Sequence, residues 1–158
     1  MLTKATPRES RKITYSSEIR HLKTVLFTDR QHAIVIGSVL GDACLHPNWS
    51  KTNYTLKITR SEKQEAYINW QFEQLKPFVL TPPRWYEKTH SYTIRTISHS
   101  GLTMLYREFY QNGKKILPPR IKEYIQNSLI LASWFMDDGN AIRVKGVLKG
   151  YHLNTQSF

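Results

Sequence analysis

Two apolar stretches that each end in a carboxylate constrain the fold of this chain more than any other feature. The first is VIGSVLGDA at residues 35–43, and the second is LASWFMDDG at residues 131–139. Both predict helices with an aspartate near the C-terminal end, where the helix dipole disfavours a carboxylate unless a cation accompanies it. Small residues in both stretches would let the two helices pack closely and bring Asp42 and Asp138 together. Because adjacent carboxylates repel each other unless metal or protons neutralise them, the pair predicts a metal site.

The charge balance indicates a polyanionic partner. The 158 residues include 23 Lys or Arg and 12 Asp or Glu, for a formal net charge of +11. This balance favours nucleic acid, with a membrane surface as the weaker alternative, since no apolar run of about 18 residues exists to span a bilayer. The single Cys44 excludes an internal disulfide and a cysteine-rich zinc site. Residues 1–12 lack the apolar core of a signal peptide, so we expect an intracellular protein of a bacterial cytoplasm or an organelle.

Hydrophobic periodicity predicts an α+β fold. Residues 54–60 alternate with period two, so Leu56 and Ile58 are expected to face a core. The pattern continues with a helix from residue 61 to about 77, a hairpin of strands 84–88 and 92–97, and an amphipathic helix over 102–110.

The order of these elements divides the chain into four parts. We predict a basic N-terminal arm, a first unit of helix, two strands, helix, two strands and helix, then a linker, then the start of a second unit. These parts are residues 1–30, 31–112, 113–130 and 131–158. The second unit would contain its motif helix and strands at 140–145 and 151–158. Because its sheet edge and apolar face would lack covering elements, we expect this unit to be incomplete.

One face of the predicted sheet carries a basic stripe. Helices on one side of an antiparallel sheet leave the other side in water. Each charged residue on that side is, taken alone, best explained as a solvated charge, but together they predict contacts with phosphates and base edges. The residues are Lys57, Thr59, Arg84, Lys88 and Arg95 in the first unit and Arg143 and Lys145 in the second.

Several single residues carry weaker expectations. Asp137 could support the metal ligands, but we favour a solvated neighbour. Cys44 is expected to be a small apolar residue at a helix end, and Lys115 by itself fits a surface turn. The four tryptophans are expected in the core rather than at stacking sites; they are Trp49, Trp70, Trp85 and Trp134.

In this order, these stretches resemble the LAGLIDADG homing endonucleases, and most closely their single-chain, two-motif subgroup. One apolar helix that ends in Asp is weak support, whereas two motifs at this spacing with the closing NTQSF form a specific combination. The sequence departs from the family pattern at Ala43, where many members have Gly, and in the missing remainder of the second unit. The matching stretches are residues 37–43, 82–83, 114–115 with the prolines that follow, 134–139 and 153–158.

The resemblance implies a pseudo-dimer of two αββαββα units whose saddle-shaped sheets lie in the major groove of double-stranded DNA. It also implies that Asp42 and Asp138 are catalytic and bind a divalent metal, Mg²⁺ or alternatively Mn²⁺, with Lys115 near the active site. The implied function is that of an intron-encoded homing endonuclease. Such an enzyme makes a site-specific double-strand break by metal-dependent hydrolysis, and a full-length chain acts as a monomer.

Two other functions remain open. The same scaffold could serve as an RNA-binding maturase or splicing cofactor that binds intron RNA without cutting DNA. It could also serve as a DNA-binding regulator that needs no metal. The presence of both Asp42 and Asp138 favours cleavage, because a protein that only binds RNA has no need of either carboxylate.

Overall fold

The structure, a computed structural model, describes residues 16–155. Residues 1–15 of the predicted arm and residues 156–158 of the closing motif lie outside the described residues. The elements through the first unit are α1 (Ser17–Leu22), α2 (Asp29–Leu40), β1 (Cys44–Pro47), β2 (Tyr54–Ser61), α3 (Glu65–Gln74), β3 (Arg84–Tyr86), β4 (Ser91–Arg95) and α4 (Ser100–Phe109). Those that follow are β5 (Tyr110–Gln111), β6 (Lys114–Lys115), α5 (Ile121–Tyr124), α6 (Ser128–Asp138), β7 (Gly139–Val144) and β8 (Val147–Leu153).

The first motif forms α2, a helix at the centre of the core. A capping box begins it: the Thr28 hydroxyl accepts a hydrogen bond from the Gln31 backbone, and the Gln31 side chain accepts one from the Thr28 backbone. All residues from 33 to 40 are buried. A helix that is apolar on every side is stable only where the protein surrounds it, and here α6 and the other core residues do so.

The second motif forms α6, which packs against α2 as the small residues predict. The two helices come close at Gly37, where an added Cβ would lie 2.5 Å from the Ser133 Cβ and 2.6 Å from the Ile130 carbonyl oxygen. Asn127 begins α6 by accepting hydrogen bonds from two backbone N–H groups, and Gly139 ends it. Gly37 therefore sets how near the two motif helices can approach.

The four strands β1 to β4 form a single antiparallel sheet in the order β1-β2-β4-β3. Leu56 and Ile58 are buried on its inner face, as the alternation predicts, and Ile94 lies opposite Ile58 on β4. α3 and α4 pack against β2 from this side. On the outer face, Thr59 is exposed between buried neighbours.

The hairpin of β3 and β4 differs from its prediction at Lys88. β3 ends at Tyr86, a 3₁₀ turn spans Glu87–Thr89, and His90 then takes a left-handed conformation with φ of 44°. Lys88 therefore lies in the exposed connection, so its predicted place on the sheet face is wrong. β3 ends earlier than the sequence predicts, because the residues of the 3₁₀ turn also fit the sequence pattern of a strand.

After α6, the chain forms a two-stranded hairpin of β7 and β8. Lys145 and Gly146 both have positive φ, 48° and 79°, as a tight hairpin turn requires. The second strand therefore begins at Val147, before the predicted residue 151, and Lys145 lies in the turn rather than on a strand. Within residues 16–155, no helix is both long and apolar enough to cross a bilayer.

The tryptophans divide between core and surface. Trp134 is buried, Trp70 packs partly buried against the core, and Trp85 is half-buried beside the Tyr92 ring. Trp49, in contrast, is 97% exposed in the turn between β1 and β2. The prediction that all four are core residues is wrong for Trp49, whose side chain is exposed to solvent.

Candidate active site

The ends of the two motif helices adjoin each other. α2 ends at Leu40, Gly41 caps it and Asp42 follows, while Asp138 is the last residue of α6. The Asp42 backbone N–H donates a hydrogen bond of 3.1 Å to the Asp137 Oδ2 atom. The structure thus brings both motif carboxylates to one place, as the pattern of the two stretches predicts.

Asp137 is the most enclosed carboxylate of this group. Its side chain is 0% exposed, and its Oδ1 atom lies 2.7 Å from the terminal nitrogen Nη2 of Arg60, whose side chain is also 0% exposed. The expectation of a solvated neighbour is therefore wrong. Asp137 faces Gly41, the residue that caps α2. A Cβ added at Gly41 would collide with the Asp137 carboxylate.

Arg60 connects the two motifs. Its Nη1 atom lies 3.7 Å from the Asp42 Oδ2 atom, while Nη2 faces Asp137, so one guanidinium contacts a carboxylate from each motif. The contact to Asp137 is an ion pair without the alignment of a hydrogen bond. Because both partners are removed from water, each depends on the other for compensation.

A polar chain holds the Arg60 side chain in place. Its Nε atom donates to the Gln71 Oε1 atom at 3.3 Å, and the Gln71 amide donates to the Ser38 hydroxyl at 3.1 Å. The guanidinium also lies over the Tyr67 ring, 5.2 Å from its centroid. Residues of α3 and α2 thus hold the Arg60 side chain in the position from which it contacts both aspartates.

Sequence reasoning missed Arg60, although a signal was present. The position continues the inward row of Leu56 and Ile58, so strict alternation places an arginine in the core. A buried charge is rare unless it is paired. That combination could have indicated a carboxylate partner on a helix packed against the sheet.

Lys115 lies beside the exit of the first motif. Its Nζ atom donates to the Gly41 carbonyl at 2.6 Å and to the Ala43 carbonyl at 3.1 Å, on either side of Asp42. Burial lowers the pKa of Lys115, and the nearby charges of Asp138 and Asp42 oppose that shift. The residue is partly buried in β6 and is not the surface lysine that its turn alone predicts.

The carboxylates of the second motif have raised pKa values. Burial raises the pKa of Asp137 to about 6, although the Arg60 guanidinium opposes the shift. Burial also raises the pKa of Asp138, while a hydrogen bond from the Trp134 Nε1 atom, at 3.0 Å, opposes it. The charge of Asp42 raises the Asp138 pKa further, as expected of neighbouring carboxylates.

The outer face of the sheet brings most of the predicted basic stripe together. Lys57 lies opposite Arg95 across β2 and β4, and Thr93 lies between Thr59 and Arg84. Cross-strand partners point to the same face, so Lys57, Thr59, Arg84 and Arg95 share one surface. Lys88 flanks this surface, and Arg143 and Lys145 are exposed on the separate β7–β8 hairpin.

Cys44 is the first residue of β1, and its Sγ atom lies 3.0 Å from the His46 Nε2 atom. The expectation of a small apolar residue at a helix end is therefore wrong for Cys44.

The sequence model of the LAGLIDADG DNA endonuclease family matches residues 32–158. The chain belongs to this family. The match covers both motifs, the sheet and the segment between them, so the resemblance inferred from the motifs is confirmed.

Two similar proteins come from Wickerhamomyces canadensis and Mycobacterium gastri. The probable intron-encoded endonuclease 1 of Wickerhamomyces canadensis is 30% identical over 137 residues, which are 81% of this chain and 58% of that protein. The protein RecA of Mycobacterium gastri is 29% identical over 154 residues, which are 89% of this chain and 34% of that protein. The chain therefore spans only part of the length of these relatives.

A solved structure shows the same LAGLIDADG fold. The homing endonuclease I-WcaI, bound to its DNA recognition sequence, matches with a TM-score of 0.75 and 25% identity. The match covers 91% of this chain and 68% of that chain. The predicted fold class, α+β with antiparallel sheets of the LAGLIDADG type, is confirmed.

Proposed function

We propose that this LAGLIDADG chain carries the catalytic centre of a site-specific DNA endonuclease that hydrolyses phosphodiester bonds with a divalent metal. The observation that carries the proposal is the meeting of Asp42 and Asp138, one from each motif, at adjoining helix ends. Lys115 and Arg60 supply positive charge beside them. A structural role alone does not require carboxylates at two negative helix ends.

The donor atoms of this centre fit a hard divalent cation. Among the described residues, no three His, Cys, Asp or Glu side chains form a complete ligand set. Mg²⁺ does not need one, since it binds through one or two carboxylates and completes its coordination with water and phosphate oxygens. Asp42 and Asp138 would hold Mg²⁺ or Mn²⁺, and the bound ion would lower the pKa of a water and neutralise charge on the phosphate.

The protein's own groups orient the carboxylates and the substrate. The Asp42 side chain is 63% exposed, so it can reach a phosphate, while its backbone is held by Asp137. Trp134 fixes one oxygen of Asp138 through its indole N–H. Lys115 places a cation next to Asp42 and so favours the negative charge that develops on a phosphate under attack.

The outer face of the sheet would hold the DNA duplex. Lys57, Arg84 and Arg95 offer phosphate and base-edge contacts, and Thr59 lies within the same surface. The net charge of +11 supports a polyanionic substrate. That the homing endonuclease I-WcaI is bound to its DNA recognition sequence supports double-stranded DNA as this substrate.

The complete activity proposed is a double-strand break at an intron insertion site, with Asp42 and Asp138 each serving one strand. The printed description of the Wickerhamomyces relative as an intron-encoded endonuclease supports this assignment. Binding of intron RNA as a maturase would use the basic face without the carboxylates, so cleavage tests separate the two functions.

The test is cleavage of a supercoiled plasmid library of candidate insertion sites, with Mg²⁺ and with chelator. A nick yields open circles and a double-strand break yields linear DNA, so one gel distinguishes single-strand from double-strand cutting. We expect Mg²⁺-dependent cutting at a limited set of sites. Asp42→Asn and Asp138→Asn should abolish it while DNA binding remains.

The matched control is Glu73→Gln, which removes one negative charge from an exposed side chain paired only with Lys76 among the ion pairs of the described residues. It should cut as the parent protein does. Chelator-resistant cutting, or equal activity in Asp42→Asn, would exclude the proposed centre. Tight binding of intron RNA with no DNA cutting would favour the maturase.

A further inference from the structure

Trp49 is the most exposed large apolar side chain of the described residues, at 97%. It lies in the turn between β1 and β2, flanked by polar residues. Exposure of a single apolar residue is common on protein surfaces. The turn that carries Trp49, however, is closed by hydrogen bonds of its own and is bonded to α4.

Hydrogen bonds within the turn close it. The Asn48 Oδ1 atom accepts from the backbone N–H of Thr52 at 3.0 Å and of Asn53 at 3.3 Å, and the Asn48 N–H donates to the Asn53 carbonyl at 2.7 Å. Lys51 takes a left-handed conformation with φ of 57°. The backbone on either side of Trp49 is therefore fixed by its own polar groups.

The turn is also anchored to α4. Thr103 donates from its hydroxyl to the Asn53 Oδ1 atom at 2.9 Å, and the Tyr54 N–H donates to the same hydroxyl oxygen at 3.2 Å. The Tyr54 and Tyr106 rings stack with centroids 3.9 Å apart. These contacts fix the base of the turn to the core, while the Trp49 ring itself has no cover.

The turn lies at the end of β1 away from the carboxylates. β1 begins two residues after Asp42 and ends at Pro47, which is about 13 Å of strand. His46 and Lys57 belong to the outer face of the same two strands, and Lys51 is in the turn itself. A duplex that lies on the outer face and reaches Asp42 would contact this turn at the end of the site farther from the carboxylates.

We propose that Trp49 packs on the DNA duplex at the outer end of the bound site, against sugar and base surface rather than phosphate. This inference rests on the proposed function. An indole contributes a large apolar surface with only two side-chain torsions, and a preformed turn reduces the entropy lost on binding. Lys51 is an exposed residue of the same turn, and its positive charge favours binding near the phosphates.

Salt dependence of binding separates this contact from an electrostatic one. Each phosphate contact contributes about 0.9 to the slope of log affinity against log salt concentration, whereas an apolar contact contributes nothing to that slope. With no metal added, Trp49→Ala should weaken DNA binding about five- to thirtyfold at every salt concentration, in the range of an aromatic base contact. Its slope should equal that of the parent protein.

Two matched variants complete the experiment. Trp49→Phe should retain most of the affinity, and Leu26→Ala, at a position 81% exposed between α1 and α2, should leave it unchanged. The hydroxyl-radical footprint of Trp49→Ala should shorten at one end only. The melting temperature should not change, because the ring contributes little to the folded state.

Unchanged affinity in Trp49→Ala, with the parent protein binding DNA, overturns this inference and leaves the proposed function intact. A lower salt slope in Trp49→Ala also overturns it, since the effect would then be electrostatic. Absence of DNA binding by the parent protein overturns both this inference and the proposed function.

Discussion

Arg60 and Asp137 form an ion pair of 2.7 Å in which neither side chain is exposed to solvent. The pair joins the sheet of the first unit to the helix of the second motif, and Arg60 also faces Asp42. The Arg60 guanidinium therefore contacts a carboxylate of each motif, while the Asp42 side chain stays 63% exposed.

Removing one partner of the pair should be far more costly than removing both. Arg60→Met leaves the Asp137 charge buried without compensation, which costs about 3–5 kcal/mol of unfolding free energy. The double variant Arg60→Met with Asp137→Leu should recover most of this loss. Urea unfolding of the parent, both single variants and the double variant measures the coupling. Additive losses in the double variant would show that the pair does not act as a unit.

The cost of Arg60→Met should depend on pH. Burial raises the pKa of Asp137 to about 6 in the folded protein, above its unfolded value, so folding favours the protonated carboxyl. Stability from this group is fully present below about pH 4 and is lost as pH rises through about 6. Without Arg60, the pKa of Asp137 should rise further. The difference in unfolding free energy between parent and Arg60→Met should therefore grow from pH 4 to pH 7.

The matched control for this pH dependence is Arg60→Met in an Asp137→Asn background. An amide does not titrate, so the growth with pH should disappear there. Persistence of the same pH dependence would assign it to another group.

Much of this architecture is predictable from sequence because it follows from local patterns. The apolar motifs, the alternation of Leu56 and Ile58, and the motif spacing give the helices, the main sheet and the place where Asp42 meets Asp138. The errors arise where contacts between residues far apart in the sequence determine whether a side chain is buried. The sequence around Asp137 does not reveal its buried partner Arg60, and the aromatic character of Trp49 does not reveal that its turn is exposed to solvent.

Gly37→Ala should test how closely the motif helices must approach. In a helix interior, replacing glycine by alanine ordinarily gains up to about 1 kcal/mol. Here the new Cβ would lie 2.6 Å from the Ile130 carbonyl oxygen, a backbone atom that cannot move aside cheaply. Because overpacking costs about 1–3 kcal/mol, the variant should be less stable than the parent.

Gly150→Ala is the control for that measurement. An added Cβ at Gly150 has nothing within 4 Å, and this glycine does not have the positive φ that favours glycine. Denaturant unfolding should place Gly150→Ala near the parent. If Gly37→Ala were instead more stable than the parent, the close packing of α2 and α6 would be disproved.

Lys57→Ala should lower the salt dependence of DNA binding. A lysine that contacts a phosphate contributes about 0.9 to the slope of log affinity against log salt concentration. Lys57 lies on the outer face opposite Arg95, whereas Lys122 lies on α5, which is not part of the sheet. Binding titrations over a range of salt should show a reduced slope for Lys57→Ala and the parent slope for Lys122→Ala. Equal slopes in both variants would remove the outer face from the DNA interface.

Lys115→Met should slow cleavage about 100-fold or more, in the range of losing one preorganised donor at a developing charge. The Lys115 ammonium holds the carbonyls of Gly41 and Ala43 and so fixes the backbone around Asp42. Lys114 is the matched control, since it is the exposed neighbour on the same short strand. Single-turnover cleavage and DNA binding, measured for both variants, separate chemistry from affinity. A purely electrostatic role in holding DNA would weaken binding equally in both, whereas a role at Asp42 slows only the Lys115 variant and leaves its affinity near that of the parent.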